Sequence, residues 1–286
     1  MIPDLIYDVG MNNGDDSAYY ISSGYRVVAI EANPFLIEKA RRRFEIPISN
    51  GRLILLNVGI TSSPGRIPFY INNDNSEWSA FDPLIAGREN METTVVEVEG
   101  VPFGQILKQH GVPFYLKTDI ERNDIYCLRA LQKEDLPAYI SVEAHKLEYL
   151  CVLHELGYRQ FKCVNQRNHN LYHPVDNENL VQIFLSECFR LNPLKNRWLR
   201  EQVKHRLPWV KEHLRNYRRS VNISLQNQAG KHPYFPPGSS GPFGEDTPGE
   251  WQELEQVAYN WLHYQNGKRH RGTLDFQGWY DFHAKL

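Results

Sequence analysis

Residues 5–17 read LIYDVGMNNGDDS, and this stretch decides the fold. A short apolar run ends at Asp8 and Val9, and the turn that follows has a glycine at each end, Gly10 and Gly14. The next residues, DDS, are good helix N-terminal residues. A strand, a tight turn and a helix N-terminus together are typical of a nucleotide-type ligand site, where glycine allows a positive φ or close approach to a ligand.

An acidic residue at the end of the next predicted strand narrows the range of possible ligands. Glu31 follows Asp8 by 23 residues, where a carboxylate can accept both hydroxyls of a ribose. NAD is disfavoured, because the turn lacks the G-x-G-x-x-G pattern and the acidic helix start would repel a pyrophosphate. A sulfonium cofactor tolerates these acids, and Asp8 can hold its ammonium group directly or through water. The pattern therefore predicts S-adenosylmethionine.

Alternating β-type and helix-type segments continue to about residue 165. The pattern predicts an α/β fold of the class I methyltransferase, Rossmann-like kind, with a mostly parallel central sheet and helices on both faces. We expect this domain to span residues 1–188, with a β-hairpin insertion at about 66–99. Strands are predicted at residues 4–9, 26–30, 53–58, 114–118, 139–143 and 159–163.

The composition changes in the last third of the chain, residues 189–286, which we expect to form a mostly helical, basic and aromatic C-terminal cap. Residues 190–219 contain ten Lys or Arg against two Glu, which are either solvated helix faces or a cover for an anionic acceptor. Residues 230–249 predict a loop, and residues 250–286 return to helix-like spacing. Trp251 and Trp261 suit a core, whereas Trp279 is the better candidate for stacking on a sugar ring.

Bulk composition excludes several classes of protein. A formal net charge of -2 over 286 residues gives no overall attraction to nucleic acid or an anionic membrane. No stretch approaches the ~20 apolar residues of a membrane span, and no signal peptide is recognisable. The four cysteines lack metal-type spacing and lie in apolar segments, which predicts reduced core residues and a cytoplasmic location. The oligomeric state stays open.

Five motifs in order resemble those of FkbM-type methyltransferases: DVGMNNG at 8–14, EANP at 31–34, NVGI at 57–60, YLKTDIE at 115–121 and VEAH at 142–145. The resemblance implies an S-adenosylmethionine-dependent O-methyltransferase acting on sugars or polyketide hydroxyls. It also places Asn57 and Val58 beside the adenine and Ser79 along the cofactor or active site. With the residues above, the predicted cofactor-binding set is Asp8, Val9, Gly10, Asn12, Asn13, Gly14, Ser17, Glu31, Ala32, Asn33, Asn57, Val58, Gly59 and Ser79.

One residue departs from the family pattern, since Arg122 follows Glu121 where the family usually has glycine. The backbone there either tolerates a side chain or belongs to an altered active-site loop. Residues 240–246 and 279–284 also resemble terminal segments of family members found among glycan-modifying proteins.

Catalytic candidates lie at the carboxyl ends of the predicted strands, where open α/β sheets bind ligands. His145 is the first candidate for the base that accepts the acceptor's proton, and Lys117 is the second if burial depresses its pKa. Asp119 and Glu143 orient the acceptor or the base. A rival hypothesis makes Asp119, Glu143 and His145 ligands of a divalent cation, although the spacing does not support a metal strongly. The plainer alternatives are an ion pair for Lys117 and a helix N-terminal group for His145.

The sequence thus predicts O-methylation of a hydroxyl on a sugar or glycan. The acceptor is a small molecule or an oligosaccharide, and it is anionic if the basic segment 190–219 covers it. A natural-product, lipid or RNA acceptor is the alternative for an enzyme, although no RNA-recognition motif is present. A protein of the same fold that binds cofactor or glycan without transfer is the non-enzyme alternative.

Overall fold

The structure is a computed structural model that describes residues 1–166, 171, 239–270 and 279–286, with only the backbone described at 266–270. The remaining residues include the basic segment 190–219, Cys188 and residues 230–238 of the predicted loop 230–249. Predictions for those residues lie outside the described part of the chain.

Within the described residues, a seven-stranded sheet forms the centre, in the order β3-β2-β1-β7-β8-β10-β9. Neighbouring strands are parallel, except that β10 is antiparallel to both β8 and β9. The strand bounds are β1 Ile2–Val9, β2 Arg26–Ile30, β3 Leu53–Leu56, β4 Gly59–Ile60, β5 Gly65–Asn72, β6 Thr93–Val101, β7 Pro113–Thr118, β8 Tyr139–Glu143, β9 Gln160–Asn165 and β10 Tyr280–Lys285.

Helices cover both faces of this sheet. Their bounds are α1 Asp15–Ser22, α2 Pro34–Arg43, α3 Glu45–Ser49, α4 Pro83–Ala86, α5 Phe103–His110, α6 Asp124–Ala130, α7 Leu147–Leu156 and α8 Leu254–His270. Side chains alternate along each strand, so Tyr7 packs into the core with α5 to α8, whereas Ile6 packs into the core with α1 and α2. The predicted mixed α/β fold with a mostly parallel sheet is confirmed.

The hairpin insertion is confirmed as well. β5 and β6 pair antiparallel from Gly65 with Gly100 to Asn72 with Thr93, and β4 joins them in a second, three-stranded sheet. The connection between β5 and β6 carries α4 and two short 3-10 turns. One of these turns contains Trp78, which lines the cleft described below.

The end of the chain corrects one prediction. The sequence predicts helix-like spacing over residues 250–286, and α8 fits it, but Tyr280–Lys285 is a strand between β8 and β9. Residues 280–285 alternate between apolar and polar side chains, which is the period of a strand, so the error comes from extending the helix-like spacing of α8 over them. Both faces of the strand lie in the interior, since Phe282 and Ala284 are fully buried and His283 on the other face is 1% exposed. The division of the chain into a catalytic-type domain and a cap stays a prediction.

The segment 239–247 crosses the face of the sheet that carries α1. Phe243 stacks on Tyr115 with 4.1 Å between ring centroids, and the rings of Tyr20 and Tyr25 lie 5.8 Å away. The backbone N–H of Ser240 donates to Asp16 Oδ2 at 3.0 Å. At the other end of the segment, Lys162 Nζ donates to the carbonyl of Thr247 at 2.7 Å. The segment is therefore fixed by an aromatic cluster and by a buried hydrogen bond near each end.

The cysteines and the hydrophobicity of the helices bear on two predictions made from composition. Cys127 and Cys163 are buried free thiols, as expected, but Cys151 is exposed, because it lies on the outer face of α7. Within the described residues, no helix combines the length and apolarity needed to cross a membrane.

We expect Phe243→Ala to destabilise the protein by about 3 kcal/mol, because it removes the ring at the centre of this aromatic cluster. Urea denaturation measures the change. Phe35→Ala is the matched control, since the Phe35 ring on α2 is 59% exposed and its loss should cost little. Equal losses from the two variants would show that the segment 239–247 does not contribute to the core.

Candidate functional site

A cleft of about 960 Å³ lies beyond the carboxyl ends of β1, β2, β7 and β8. It is bounded above the sheet by the β5–β6 connection and by residues from the last part of the chain, since Trp78, Ser239 and Trp279 line it. Of the predicted site residues, the cleft is lined by Gly10, Asn12, Asn13, Glu31, Ala32, Val58, Gly59, Ser79, Lys117, Asp119, Glu143 and His145. The remaining six are absent from the lining: Asp8, Val9, Gly14, Ser17, Asn33 and Asn57.

Gly10 allows two strand ends to approach each other. Its φ is +86°, and a Cβ at this position would lie 1.8 Å from the backbone oxygen of Asp119. The N–H of Asp119 also donates to the carbonyl of Val9 at 2.9 Å. The positive φ agrees with the sequence analysis, but the group that requires glycine is the neighbouring backbone and not a ligand.

A buried cluster of charges lies below the turn. Lys117 Nζ donates to Asp8 Oδ1 at 2.8 Å and lies 3.4 Å from Asp16 Oδ2, and Ser17 Oγ donates to Asp8 Oδ2 at 2.6 Å. Asp8 is fully buried with both oxygens engaged. Asp16 lines the cleft and is also buried, and its Oδ1 has no hydrogen-bond partner among the described residues.

These contacts correct the prediction for Lys117. Burial alone would lower the pKa of Lys117, but the charges of Asp8, Asp16 and Asp119 outweigh it and raise this pKa well above its usual value. A lysine held as an ammonium ion by two carboxylates does not accept a proton at neutral pH. Lys117 is therefore the buried member of an ion cluster, and the ion-pair alternative is the one the geometry supports.

Glu31 organises the loop after β2. Its two carboxylate oxygens accept the backbone N–H groups of Asn12 at 2.9 Å and Asn33 at 2.7 Å. The side-chain amide of Asn57 donates to the backbone carbonyls of Glu31 and Ala32, at 3.0 and 3.1 Å. Burial raises the pKa of Glu31, and the two amides oppose this. Asn57 thus holds the loop from behind, while its neighbours Val58 and Gly59 line the cleft.

An acidic cluster with one histidine occupies the other half of the cleft. His145 Nε2 lies 2.8 Å from Glu143 Oε2. Burial raises the pKa of Glu143 well above its usual value, and the charges of Asp119, Glu121 and Asp124 raise it further. Burial lowers the pKa of His145 despite the surrounding carboxylates. The imidazole is therefore neutral near pH 7, as a general base or a metal ligand must be.

Sequence reasoning missed the pair formed by Glu121 and Arg88. Arg88 donates to both oxygens of Glu121, at 2.6 and 3.2 Å, and its guanidinium lies 4.4 Å from the centre of the Trp78 ring. Both residues line the cleft, and Arg88 comes from the β5–β6 connection. The sequence analysis placed Ser79, from the same β5–β6 connection, in the site. No local pattern shows that this connection also contacts the loop after β7, which contains Glu121.

Glu121 and Arg122 have left-handed backbones, with φ of +50° and +80°. Asp124 holds the loop by accepting the N–H groups of Ile120 at 3.2 Å and Arg122 at 3.1 Å. Arg122 thus occupies a conformation that favours glycine, in agreement with the family pattern from which it departs. The backbone at Arg122 therefore keeps the left-handed conformation typical of glycine, although this residue has a side chain.

Two of the three tryptophans are placed as the sequence analysis expected. Trp261 is 9% exposed in the core and donates through Nε1 to the carbonyl of Ala144 at 2.8 Å, and Trp279 lines the cleft. Trp251 is only half-buried, because it lies over Tyr139 and 4.3 Å from the ammonium of Lys162 at an outer edge. Of the three, Trp279 is therefore the one that an acceptor in the cleft would meet.

Known proteins match the part of the chain that builds this cleft. A family model described as the methyltransferase FkbM domain matches residues 8–162. Among solved structures, the precorrin-6y C5,15-methyltransferase of Geobacter metallireducens GS-15 is similar, with 14% sequence identity and a TM-score of 0.32. That similarity covers 57% of this chain and 68% of the other. No curated protein matches the chain.

The buried charge of Asp16 gives a pH prediction. Burial raises the pKa of Asp16 to about 6 from its usual 3.8, so the folded protein binds this proton more tightly than the unfolded chain. Folding stability should therefore fall as pH rises from about 4 to 6, by on the order of 1–2 kcal/mol. Asp16→Asn, which keeps an acceptor for Ser240, should remove the part of this slope that is due to Asp16, as measured by urea denaturation at several pH values.

Asp15→Asn is the control for loss of an acidic residue from the same helical turn, where Asp15 pairs with Arg43 at 2.7 Å. Parallel stability curves for wild type and Asp16→Asn between pH 4 and 6 would show that Asp16 is not the group responsible.

Proposed function

The chain belongs to the FkbM methyltransferase family, and from that premise and the geometry of its cleft we propose that it methylates a hydroxyl of a sugar or glycan, using S-adenosylmethionine. One observation carries the proposal. A single cleft joins the buried carboxylate of Glu31, at the end of β2, to Asp119, Glu143 and His145 at the ends of β7 and β8. A cofactor side and a proton-accepting side thus share one space.

The residues present fit the cofactor. Glu31 offers a carboxylate to the ribose hydroxyls, and its backbone contacts already fix its position. Asp16 offers a buried carboxylate oxygen that lacks a hydrogen-bond partner among the described residues, which suits the ammonium group. Asp8 is covered by Lys117 and Ser17, so its part is to hold Lys117 and the turn. When bound, S-adenosylmethionine supplies a methyl group that its sulfonium has already activated.

The other half of the cleft acts on the acceptor. A sugar hydroxyl does not ionise at neutral pH, so its proton must pass to a protein group as the new bond forms. His145 is the first candidate, because burial lowers the pKa of its imidazole and Glu143 lies 2.8 Å from its Nε2. Asp119 and Glu143 can orient the hydroxyl by accepting a hydrogen bond.

A glycan acceptor is supported by the aromatic groups around the opening. Trp78 and Trp279 line the cleft, and indole rings bury the apolar faces of sugars. Arg122 lies at the same opening as an exposed guanidinium, which suits an acceptor with a carboxylate or phosphate group. Small natural products remain the alternative acceptors.

We also propose that the enzyme is cytoplasmic, because its described cysteines are free thiols.

Calorimetry with S-adenosylmethionine, S-adenosylhomocysteine and NAD tests the cofactor half. Micromolar binding of both sulfur compounds and none of NAD is expected. Transfer of a labelled methyl group to nucleotide sugars and oligosaccharides then tests the acceptor half, and a label that survives alkali identifies an ether. Cofactor binding without transfer to any acceptor class would favour a binding protein of the same fold.

We expect Glu31→Ala to weaken S-adenosylhomocysteine binding by about 1–3 kcal/mol, because a charged hydrogen-bond acceptor is lost from a buried position. Calorimetry gives the affinity directly. Glu38→Ala removes an exposed carboxylate from α2 and should leave the affinity unchanged. An unaltered affinity in Glu31→Ala would rule out the ribose assignment.

We expect Asp119→Ala to lower turnover by at least about 100-fold while cofactor affinity stays within about threefold, since Lys117 keeps Asp8 and Asp16, the two carboxylates that it contacts. Initial rates with the best acceptor and a cofactor titration measure the two quantities. Turnover close to that of wild type would remove Asp119 from the catalytic set.

A further inference from the structure

Three potential metal ligands converge in the acceptor half of the cleft. One ligand atom from each of Glu121, Glu143 and His145 lies within 4.8 Å of the others. Metal–ligand bonds of roughly 2.1–2.3 Å place opposite ligands about 4.2–4.6 Å apart, so this spacing suits a single ion. Each residue also lines the cleft, which leaves room for further ligands.

The imidazole supplies a second, independent observation. His145 Nε2 lies 2.8 Å from Glu143 Oε2, yet the two atoms are not aligned for a hydrogen bond. The same nitrogen has no accessible surface and no hydrogen-bond partner among the described residues. A buried polar atom without a hydrogen-bond partner is unfavourable. A small cation between this nitrogen and the two carboxylates would give it a partner.

The charges around the cluster favour the same occupant. Asp119 and Asp124 add to the negative charge felt by Glu143, and Asp281 on β10 lies in the same field. Arg88 neutralises part of this charge through Glu121, and its two hydrogen bonds also fix the orientation of that carboxylate.

We propose that Glu121, Glu143 and His145 bind a divalent cation of the Mg²⁺ or Mn²⁺ kind. This set differs from the one that the sequence suggested, because Glu121 takes the place of Asp119. Two carboxylates with one imidazole are a ligand set that Mn²⁺ accepts, and the side chains are open to the cleft on one side. The left-handed backbone at Glu121 directs the loop so that its carboxylate reaches the other two ligands.

The role of this ion rests on the proposed function, although its binding does not. An acceptor hydroxyl that contacts the cation becomes more acidic, so a weaker base is enough to take its proton. His145 is then a ligand, and the proton passes to Asp119, which lies beside Glu143 outside the ligand set. The non-metal and metal versions of the site therefore assign the proton to different residues.

Titration of the full chain with Mn²⁺, followed by the electron paramagnetic resonance signal of free Mn²⁺, tests the proposal without cofactor or acceptor. We expect one site per chain and displacement of Mn²⁺ by Mg²⁺. Glu121→Gln should weaken binding at least about tenfold, whereas Glu89→Gln should not change it. Glu89 makes a matched control because it has the same charge, lies at the same cleft and has a left-handed backbone, but is outside the cluster.

A measurement on wild type covers the case in which Glu121→Gln does not fold. Bound Mn²⁺ should broaden the imidazole proton resonances of His145 at substoichiometric concentration, with the assignment taken from His145→Gln. Absence of Mn²⁺ binding at millimolar concentration, binding by Glu121→Gln as tight as wild type, or an unbroadened His145 would each overturn the proposal. Cofactor calorimetry is independent, so a chain that binds cofactor but no Mn²⁺ refutes the metal site and leaves the methyltransferase proposal in place.

Discussion

The buried ammonium of Lys117 is the contact on which the site depends. It joins β7 to Asp8 on β1 and to Asp16 on α1, and Asp16 in turn accepts a hydrogen bond from Ser240. Loss of Lys117 would leave Asp8 and Asp16 buried together without a cation, which is far costlier than loss of a surface ion pair. The two strand ends, the first helix and the segment 239–247 are therefore fixed relative to one another.

This cluster also shows how the cleft divides its charge. On the cofactor side, Lys117 offsets the carboxylates of Asp8 and Asp16 at distances of 2.8 and 3.4 Å. On the acceptor side, Glu143 forms no ion pair with a lysine of the described ranges, and the guanidinium of Arg88 is engaged by Glu121. A concave surface with a cluster of carboxylates attracts cations more strongly than an open one. The two halves thus suit different chemistry.

Local sequence patterns predicted the parallel strands, the hairpin and the residues at the strand ends, because side-chain alternation and turn residues are visible within a few consecutive positions. They could not predict the protonation of Lys117, which depends on Asp16 from a different element. The contact between Arg88 and Glu121 joins residues 33 apart, and no periodicity encodes it. The helix prediction overlooked the apolar–polar alternation of residues 280–285, and no local pattern shows that the polar face of this strand is buried between β8 and β9. Long-range packing decides each of these features.

The position of β10 has a consequence for biosynthesis. β8 and β9 are made early, but the strand between them follows much later, since Asn165 and Tyr280, which share a hydrogen bond, are 115 positions apart. Until residues 280–285 leave the ribosome, β8 has an unpaired edge. The strand that carries Glu143 therefore gains its second neighbour only when translation has passed these residues.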